Sequence, residues 1–197
     1  MMATGQVARH IILTGPPGIG KTTLIQKVYD HLKKSGVECN GFYTEERREG
    51  RQRVGFDIVT LSGQRAPLAL VNTNSDVPQG RQYTVGKYIV QLQTFETAAL
   101  PTMRKQEGKH NIFVIDEIGK MELFSHTFVR VIKDLLNSKN TTVITTIPIA
   151  KGRPIPVVEE VRTRSDAVIF TVSQSNRDAL LEDVIRAVMN SIKYHGA

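Results

Sequence analysis

A glycine-rich segment near the N-terminus has the residue types and spacing of a phosphate-binding loop. Its residues are Gly15-Pro16-Pro17-Gly18-Ile19-Gly20-Lys21-Thr22, followed by Thr23, and they fit the pattern G-x-x-x-x-G-K-[ST]. The glycines allow a tight turn whose N–H groups point at phosphate oxygens, and the N-terminus of a following helix adds partial positive charge. In such a loop Lys21 reaches the β- and γ-phosphates and the Thr22 hydroxyl binds Mg²⁺. We therefore expect the loop, with Thr23, to bind a nucleoside triphosphate.

Two adjacent acids follow the most apolar stretch of the chain. The block reads Ile112-Phe113-Val114-Ile115-Asp116-Glu117-Ile118-Gly119. Its apolar run predicts a central strand, and ligands bind where the strands of a parallel sheet end. Asp116 is then placed to hold Mg²⁺ through a coordinated water, and Glu117 to orient or deprotonate the water that attacks the γ-phosphorus. Without the phosphate loop, a turn acid at the end of a strand would be the simpler interpretation.

Positive side chains in two places could neutralise the charge of a phosphoryl-transfer transition state. Lys120 directly follows the acid block, and with Lys21 and Glu117 it completes our set of candidate catalytic residues. The other candidates flank or follow the loop after the penultimate strand, and they are Lys151, Arg153, Arg162 and Arg164. An ordinary solvated side chain is the alternative interpretation for each of these cations.

The sequence motifs that could recognise the base are less specific than those that bind the phosphates. The acid block also fits D-x-x-G, a pattern whose glycine amide contacts the γ-phosphate in signalling GTPases, so Gly119 could lie near that phosphate. The guanine-reading pattern Asn-Lys-x-Asp is absent from the sequence, so D-x-x-G does not indicate guanine specificity. Asn176 and Arg177 follow the last predicted strand and are placed to contact the base or the ribose. A helix start with a surface arginine is the alternative for this pair.

Hydrophobic periodicity predicts the elements that position these residues. We predict strands at 10–14, 41–44, 54–61, 67–70, 88–90, 111–116, 142–147 and 167–172. We predict helices from 21 to before 36, at 95–105, along 128–136, at 157–161 and at 180–192. This alternation is typical of an α/β fold with a mostly parallel central sheet, helices on both faces and a small antiparallel β insertion at 41–90. Together with the phosphate loop, it predicts a P-loop NTPase fold. We expect a single domain over 1–197, with a flexible segment at 1–8 and an exposed polar loop at 73–82.

Composition and charge limit the class of protein. A chain of 197 residues with 40% hydrophobic and 23% charged residues is typical of a globular domain and excludes wholesale disorder or a fibre. No stretch approaches the roughly 18 apolar residues of a membrane span, and the run at 11–13 is too short for a signal peptide. Cys39 is the only cysteine, so we expect no intrachain disulfide and a cytoplasmic location. The net charge of +7 favours anionic ligands without choosing among them.

Three blocks of the sequence resemble a known family. They are the phosphate loop extended to Ile25, the block Gly41-Phe42-Tyr43-Thr44-Glu45-Glu46, and the block Val114-Ile115-Asp116-Glu117-Ile118-Gly119-Lys120-Met121-Glu122-Leu123-Phe124. They are similar to the thermophilic nucleotide phosphatases of the THEP type and to the cancer-related nucleoside-triphosphatases of vertebrates, over about 9–191. The resemblance implies Mg²⁺-dependent hydrolysis of ATP, GTP, CTP and UTP to nucleoside diphosphate and phosphate. It also implies nucleotide contacts from 15–22 and from about 112–119.

Three functions stay open on the sequence. The leading hypothesis is a nucleoside-triphosphatase, because a glutamate beside the Mg²⁺-binding aspartate can activate water. The second is a kinase for a small molecule or nucleotide, with the basic segment 151–164 as its lid. The third is a nucleotide-gated module that binds RNA or a protein, which the basic charge suggests but no aromatic stacking motif supports. We expect a monomeric enzyme that binds nucleoside triphosphates and Mg²⁺, with no membrane association and no specific nucleic acid.

Overall fold

The computed structural model describes residues 7–72 and 82–196, and within them strands and helices alternate along the chain. The strands are β1 His10–Gly15, β2 Asn40–Glu49, β3 Gln52–Thr60, β4 Arg65–Val71, β5 Thr84–Val85, β6 Tyr88–Val90, β7 Asn111–Ile115, β8 Thr141–Pro148 and β9 Ala167–Thr171. The helices are α1 Lys21–Lys34, α2 Leu92–Ala99, α3 His126–Asn137, α4 Pro156–Arg162 and α5 Leu180–His195. The expected flexible segment at 1–8 and polar loop at 73–82 lie, except for residues 7, 8 and 82, outside the described residues.

The described strands form one sheet in the order β5-β6-β4-β3-β2-β7-β8-β1-β9. Its parallel part consists of β2, β7, β8, β1 and β9. Strand β8 lies between β1 and β7, with Gly15 opposite Pro148 and Ile115 opposite Thr145. Because parallel strands end at the same edge of a sheet, the loop after β1 and the acids after β7 lie on the two sides of the end of β8. The predicted α/β architecture is confirmed.

The strands predicted as an antiparallel insertion continue this same sheet. Strand β2 pairs in parallel with β7 and antiparallel with β3, so it joins the two parts. The densest basic segment of the chain, at 47–53, forms the β2–β3 hairpin. Its arginines face carboxylates, since Arg48 and Arg53 bind Glu46 at 2.5 and 2.7 Å, and Arg47 lies 3.8 Å from Asp57. These ion pairs offset much of the positive charge of the hairpin.

Helices cover both faces of the sheet. On one face α1 and α5 pack against the parallel strands, with Ile11 and Val184 fully buried. On the other face α2, α3 and α4 enclose a core that contains Phe42, Phe95 and Phe128, whose ring centroids lie 5.4 to 6.2 Å apart. Burial of these side chains stabilises the sheet from both sides. The two cores thereby hold the loops at the strand ends in place.

The second helix differs from its prediction at both ends. Helix α2 spans Leu92–Ala99 rather than 95–105, and a 3₁₀ turn over Leu100–Met103 follows it. Pro101 explains the early end, because proline has no N–H to donate and its ring clashes with the preceding turn of an α-helix. Strand β5 was not predicted, since alternation cannot be recognised over two residues.

His10, at the start of β1, is fully buried and has the hydrogen bonds of a neutral ring. Its Nε2 lies 3.1 Å from the carbonyl oxygen of Leu136, and its Nδ1 accepts a hydrogen bond from the N–H of Val143 at 3.1 Å. Burial lowers the pKa of His10 from 6.5 to about 4, although the Asp166 carboxylate 3.7 Å away opposes this shift. His10 is therefore a structural residue that stays neutral near pH 7.

We expect this histidine to make the fold sensitive to acid. Above pH 6.5 it is neutral in both the folded and the unfolded chain, so it adds no pH dependence. As the pH falls from 6.5 to about 4, the unfolded chain takes up a proton that the folded chain excludes. The free energy of unfolding should therefore fall, by about 3 kcal/mol once both states are protonated.

Urea denaturation of wild type, His10→Gln and His31→Gln, from about pH 7.5 to about pH 4, measures this effect. His31 is exposed and provides the matched control, which should keep the wild-type pH dependence. His10→Gln should lose the His10 contribution and show a shallower decline. An unchanged decline in His10→Gln would contradict the assignment.

Candidate nucleotide-binding site

The loop between β1 and α1 has the backbone of a phosphate cradle. Gly20 has φ of 109° and stands at the N-cap of α1, where no side chain caps the helix. A positive φ favours glycine, and the missing cap leaves the first N–H groups of the helix facing the loop. At Gly15 a Cβ would lie 2.5 Å from the carbonyl oxygen of Val172, so only glycine fits. The helix therefore begins with N–H groups and a dipole that attract an anion.

Lys21 lies over this loop. Its ammonium donates to the carbonyl oxygens of Gly15 at 3.1 Å and of Pro16 at 3.4 Å. These bonds keep the positive charge above the N–H groups rather than in bulk solvent. Lys21 also lies close enough to Glu117 to oppose the rise in the pKa of that carboxyl that burial and Asp116 cause. The cation is thus positioned between the phosphate loop and the acid that follows β7.

Asp116 is the centre of a buried hydrogen-bond network. Its side chain is only 1% exposed. Its Oδ2 accepts hydrogen bonds from the Thr22 hydroxyl at 2.8 Å and from the Thr44 hydroxyl and N–H at 3.1 and 3.3 Å. Its Oδ1 accepts a bond of 2.5 Å from the Thr146 hydroxyl. The network ties the phosphate loop to the middle of β2 and to the carboxyl ends of β7 and β8.

Sequence reasoning missed Thr44 and Thr146. Thr146 lies near the carboxyl end of β8, which neighbours β7, and that position could have indicated it. Thr44 lies in the middle of β2, and the sequence indicated it only as the end of the predicted strand 41–44 and as part of the family resemblance. The strand order brings both hydroxyls within hydrogen-bonding distance of Asp116.

Two further carboxyls, Glu117 and Glu122, have raised pKa values. Burial raises the pKa of the half-buried Glu117, the neighbouring Asp116 adds to this, and Lys21 opposes it. Glu122 is 3% exposed, and burial together with the charge of Glu117 raises its pKa well above the ordinary range. A carboxylate with a raised pKa is a stronger proton acceptor. The arrangement therefore suits Glu117 to general-base chemistry, while burial favours the neutral form of Glu122.

Two cavities open at the phosphate loop. The larger, about 770 Å³, extends along the strands β2 to β5, and we call it the strand-side cavity. The smaller, about 370 Å³, lies under the segment 149–155, and we call it the loop-side cavity. They share a centre formed by Pro17, Lys21, Glu117, Lys120 and Pro148. The structure thus brings all three candidate catalytic residues to one point.

The predicted lid cations separate into two groups. Lys151, Arg153 and Arg162 line the loop-side cavity. The Arg162 guanidinium is held there, since it donates to the carbonyl oxygen of Pro148 at 2.5 Å. Arg164 lines neither cavity and instead binds Asp166 at 2.9 Å. Only the first group is placed to act on a bound phosphate.

Asn176 and Arg177 lie outside both cavities. The Asn176 side chain accepts from the N–H of Ser173 at 2.8 Å and donates to the carbonyl oxygen of Thr171 at 2.9 Å, so it shapes the turn after β9. Arg177 is exposed on the same turn. This turn lies beside the start of the phosphate loop, since the N–H of Val172 donates to the carbonyl oxygen of Thr14 at 2.7 Å, but neither side chain lines a cavity.

The apolar residues of the acid block do not reach the cavities either. Ile112, Phe113, Val114, Ile115 and Ile118 are buried in the two cores. They position the acids rather than face a ligand. Gly119 has a local role, because a Cβ there would collide with the Glu117 carboxylate. The Glu117 side chain therefore packs against Gly119, and a larger residue there would displace the carboxylate.

Thr22 and Asp116 suit a divalent cation of the hard type. The Thr22 hydroxyl donates a hydrogen bond to Asp116, so its oxygen keeps lone pairs for a cation, and Thr22 lines the strand-side cavity. Among the described residues, no group of three or more His, Cys, Asp or Glu side chains is arranged for a metal. The pair of Thr22 and Asp116 is instead typical of Mg²⁺-type sites, in which one or two protein oxygens act with substrate phosphates.

Comparison with known proteins decides the family. A family model described as NTPase matches residues 10–185. This chain belongs to the NTPase family. It is 48% identical to the cancer-related nucleoside-triphosphatase of Homo sapiens over 191 residues, which cover 95% of this chain and 100% of that protein. It is 41% identical to nucleoside-triphosphatase THEP1 of Thermotoga maritima over 175 residues, which cover 89% and 92%.

Two solved structures share the NTPase-family fold. The solution structure of a human cancer-related nucleoside triphosphatase is 48% identical, with a TM-score of 0.81 over 93% of this chain and 99% of that one. The crystal structure of THEP1 from the hyperthermophile Aquifex aeolicus is 35% identical, with a TM-score of 0.76 over 91% and 98%. The resemblance noted in the sequence is confirmed. Across 7–72 and 82–196, no helix has the length and apolarity needed to cross a membrane.

Proposed function

We propose that this NTPase-family protein hydrolyses ATP, GTP, CTP and UTP, with Mg²⁺, to nucleoside diphosphate and phosphate. Membership of the family supports nucleoside-triphosphate hydrolysis. The observation that carries the proposal is the meeting of three groups at one cavity: the Lys21 ammonium, the Thr22 hydroxyl bound to Asp116, and the Glu117 carboxyl. We include all four bases because the phosphate loop binds the part of the nucleotide that they share.

The phosphates bind to the loop and to Lys21. The N–H groups of 15–22 and the N-terminus of α1 hold the β-phosphate, as anion-binding loops of this type do. Lys21 exchanges its bonds to the carbonyl oxygens of Gly15 and Pro16 for bonds to β- and γ-phosphate oxygens. The ammonium needs only a small movement, because it already lies above the loop.

Thr22 would hold Mg²⁺ directly, and Asp116 would hold it through a water molecule. When bound, Mg²⁺ neutralises charge on the β- and γ-phosphates. Thr44 and Thr146 hold the Asp116 carboxylate in one orientation by bonds to its two oxygens. The carboxylate in turn fixes the Thr22 hydroxyl by the bond of 2.8 Å.

Glu117 is the general base of the proposed reaction. It accepts a proton from a water whose oxygen attacks the γ-phosphorus, and the bond from that phosphorus to the bridging oxygen breaks. The nucleoside diphosphate leaves with that oxygen. Burial raises the pKa of Glu117, and this makes the ionised carboxylate more basic than an exposed one.

Lys120 and Arg162 neutralise charge that develops on the transferred phosphoryl group. Lys120 lies in the shared centre, and Arg162 lines the loop-side cavity next to it. Arg162 is anchored by Pro148 and by Glu159, at 2.5 and 3.3 Å, so its charge is held near the loop. A cation in this position contributes about 10³–10⁵ in rate in related chemistry.

We also propose that the enzyme acts as a monomer of one domain in the cytoplasm. All described strands form one sheet, with its two cores in a single unit. Its single cysteine suits a reducing compartment. A sedimentation measurement on the purified chain would test the monomer.

Phosphate release from ATP, GTP, CTP and UTP, each with Mg²⁺ and with EDTA, tests the proposed activity. We expect release from all four nucleotides in Mg²⁺ and loss of release in EDTA. All four nucleotides should react because the loop binds the phosphates and not the base. EDTA should abolish release because Lys21 alone does not neutralise the negative charge of the β- and γ-phosphates. Release from one base only would contradict the broad specificity, and full release in EDTA would contradict the role of the metal.

A further inference from the structure

The two cavities diverge from a single reaction centre. Pro17, Lys21, Glu117, Lys120 and Pro148 line both, and every other lining residue belongs to one cavity alone. A hydrolase needs room for one nucleotide and one water molecule. The strand-side cavity alone, at about 770 Å³, already has the size of a complete small-molecule site. The divergence is the shape expected of an enzyme with two organic substrates.

The two cavities differ in their chemistry. Outside the shared centre, the charged residues of the loop-side cavity are Lys151, Arg153, Arg162 and Glu159, so cations prevail. The strand-side cavity instead has an apolar wall, formed by Phe56, Leu68, Val85 and Met121. The strand-side cavity also contains Gly18, Gly20, Thr22 and Thr23 of the phosphate loop, so the phosphates lie where the two cavities meet, beside the cations of the loop-side cavity. The apolar wall suits a flat ring without charge.

The charges of the strand-side cavity are already paired. Arg53 donates to Glu46 at 2.7 Å and to the Tyr88 hydroxyl at 2.9 Å, and its guanidinium lies 5.1 Å from the Phe56 ring centre. Glu45 is bound by Arg65. No cation of this cavity outside the shared centre is left for a phosphate monoester. The end of the cavity far from the phosphate loop, at Phe56, Leu68 and Val85, therefore suits an uncharged occupant.

We propose that the strand-side cavity binds a ribonucleoside, and that the enzyme transfers the γ-phosphoryl group to its hydroxyl. The flat base lies against Phe56 and Met121. The sugar hydroxyls face the polar side chain of Gln26, which lines the same cavity. This proposal rests on the proposed function, because it uses the same nucleotide, Lys21 and Glu117.

The transfer step balances in atoms and charge. The nucleoside oxygen forms a bond to the γ-phosphorus, and the bond from that phosphorus to the bridging oxygen breaks. Glu117 takes the hydroxyl proton, and the nucleoside diphosphate leaves. The products are a nucleoside monophosphate and a nucleoside diphosphate. Water at the same position gives phosphate instead, so the two reactions compete at one centre.

The test follows both products in one reaction. Wild type is incubated with ATP labelled at the γ-phosphate, Mg²⁺ and adenosine, guanosine, cytidine or uridine, and labelled nucleoside monophosphate is separated from labelled phosphate. We expect labelled monophosphate with at least one nucleoside. In Phe56→Ala the ratio of monophosphate to phosphate should fall at least about ten-fold, because the ring platform is lost. Tyr194→Ala removes an exposed ring on α5, outside both cavities, and should keep the wild-type ratio.

The outcomes separate this proposal from the proposed hydrolysis. Phosphate release without labelled monophosphate for any of the four nucleosides would overturn the acceptor site and leave hydrolysis standing. Labelled monophosphate without acceptor-free phosphate release would support the acceptor site and contradict hydrolysis. The absence of both labelled products would overturn the acceptor site and the proposed hydrolysis.

A binding measurement covers the case in which Phe56→Ala does not fold. The methyl group of Met121, assigned with Met121→Leu, is followed by NMR in the wild type while each nucleoside is added. A shift of this resonance that saturates with one nucleoside supports the site. An unmoved Met121 resonance with all four would overturn it.

Discussion

Replacing Glu117 by glutamine is expected to lower kcat for phosphate release by about 10²–10⁴-fold, the usual contribution of a general base. Glutamine keeps the size and hydrogen-bonding reach of the side chain but cannot accept the proton of the attacking water. The phosphate loop, Lys21 and Thr22 are untouched, so the affinity for the nucleotide should change little. The loss should therefore appear in kcat and not in Kd.

Steady-state phosphate release, together with nucleotide binding measured by calorimetry, checks this result. Glu182→Gln is the matched control, because Glu182 is exposed on α5 and lines neither cavity. It should behave as wild type in both measurements. Hydrolysis at the wild-type rate by Glu117→Gln would remove Glu117 from the mechanism and direct the search to Glu122.

The second large effect is expected for Lys21→Ala, which should fail in binding as well as in turnover. The Lys21 ammonium contacts the same phosphates before and during transfer, so its loss weakens the ground state and the transition state together. By analogy with the removal of one preorganised donor, kcat/KM should fall by at least about 10²–10³-fold. In this variant KM and Kd should rise, which is the contrast to Glu117→Gln.

Lys27→Ala is the matched control for this variant. Lys27 is exposed on α1 and lines neither cavity, so its removal tests the loss of one positive charge from the same helix. Thermal denaturation of both variants would show that the helix is intact. Nucleotide binding by Lys21→Ala with the wild-type Kd would show that the loop does not bind phosphate as proposed.

The phosphate loop and the acid block could be predicted because their signals are local. The glycines, Lys21 and Thr22 act through the backbone of one turn and the start of one helix, and both are encoded in consecutive residues. Asp116 is recognisable for a similar reason, since an apolar run indicates the strand that it follows. The strands and helices of the α/β fold follow from periodicity, apart from the two-residue strand β5 and from α2, where Pro101 ends the helix early.

The partners of Asp116 could not be predicted in this way. Thr22 lies 94 positions from Asp116 in the sequence, Thr44 lies 72 and Thr146 lies 30, and all three donate to its two oxygens. Which threonines meet an acid depends on the order of the strands in the sheet. That order places β8 between β1 and β7, and neither composition nor periodicity encodes it.

Arg162 and Arg164 show most clearly that tertiary contacts cannot be predicted from the sequence. In sequence they are equivalent candidates, two positions apart. The end of α4 points the first toward Pro148 and the loop-side cavity, whereas the second turns toward Asp166 and the carbonyl oxygen of Leu136. The sequence by itself determined the phosphate loop, the acids and the layered fold, because each depends on neighbouring residues. Only the tertiary structure decided which cations and hydroxyls reach them, because those contacts depend on how distant strand ends are brought to one edge of the sheet.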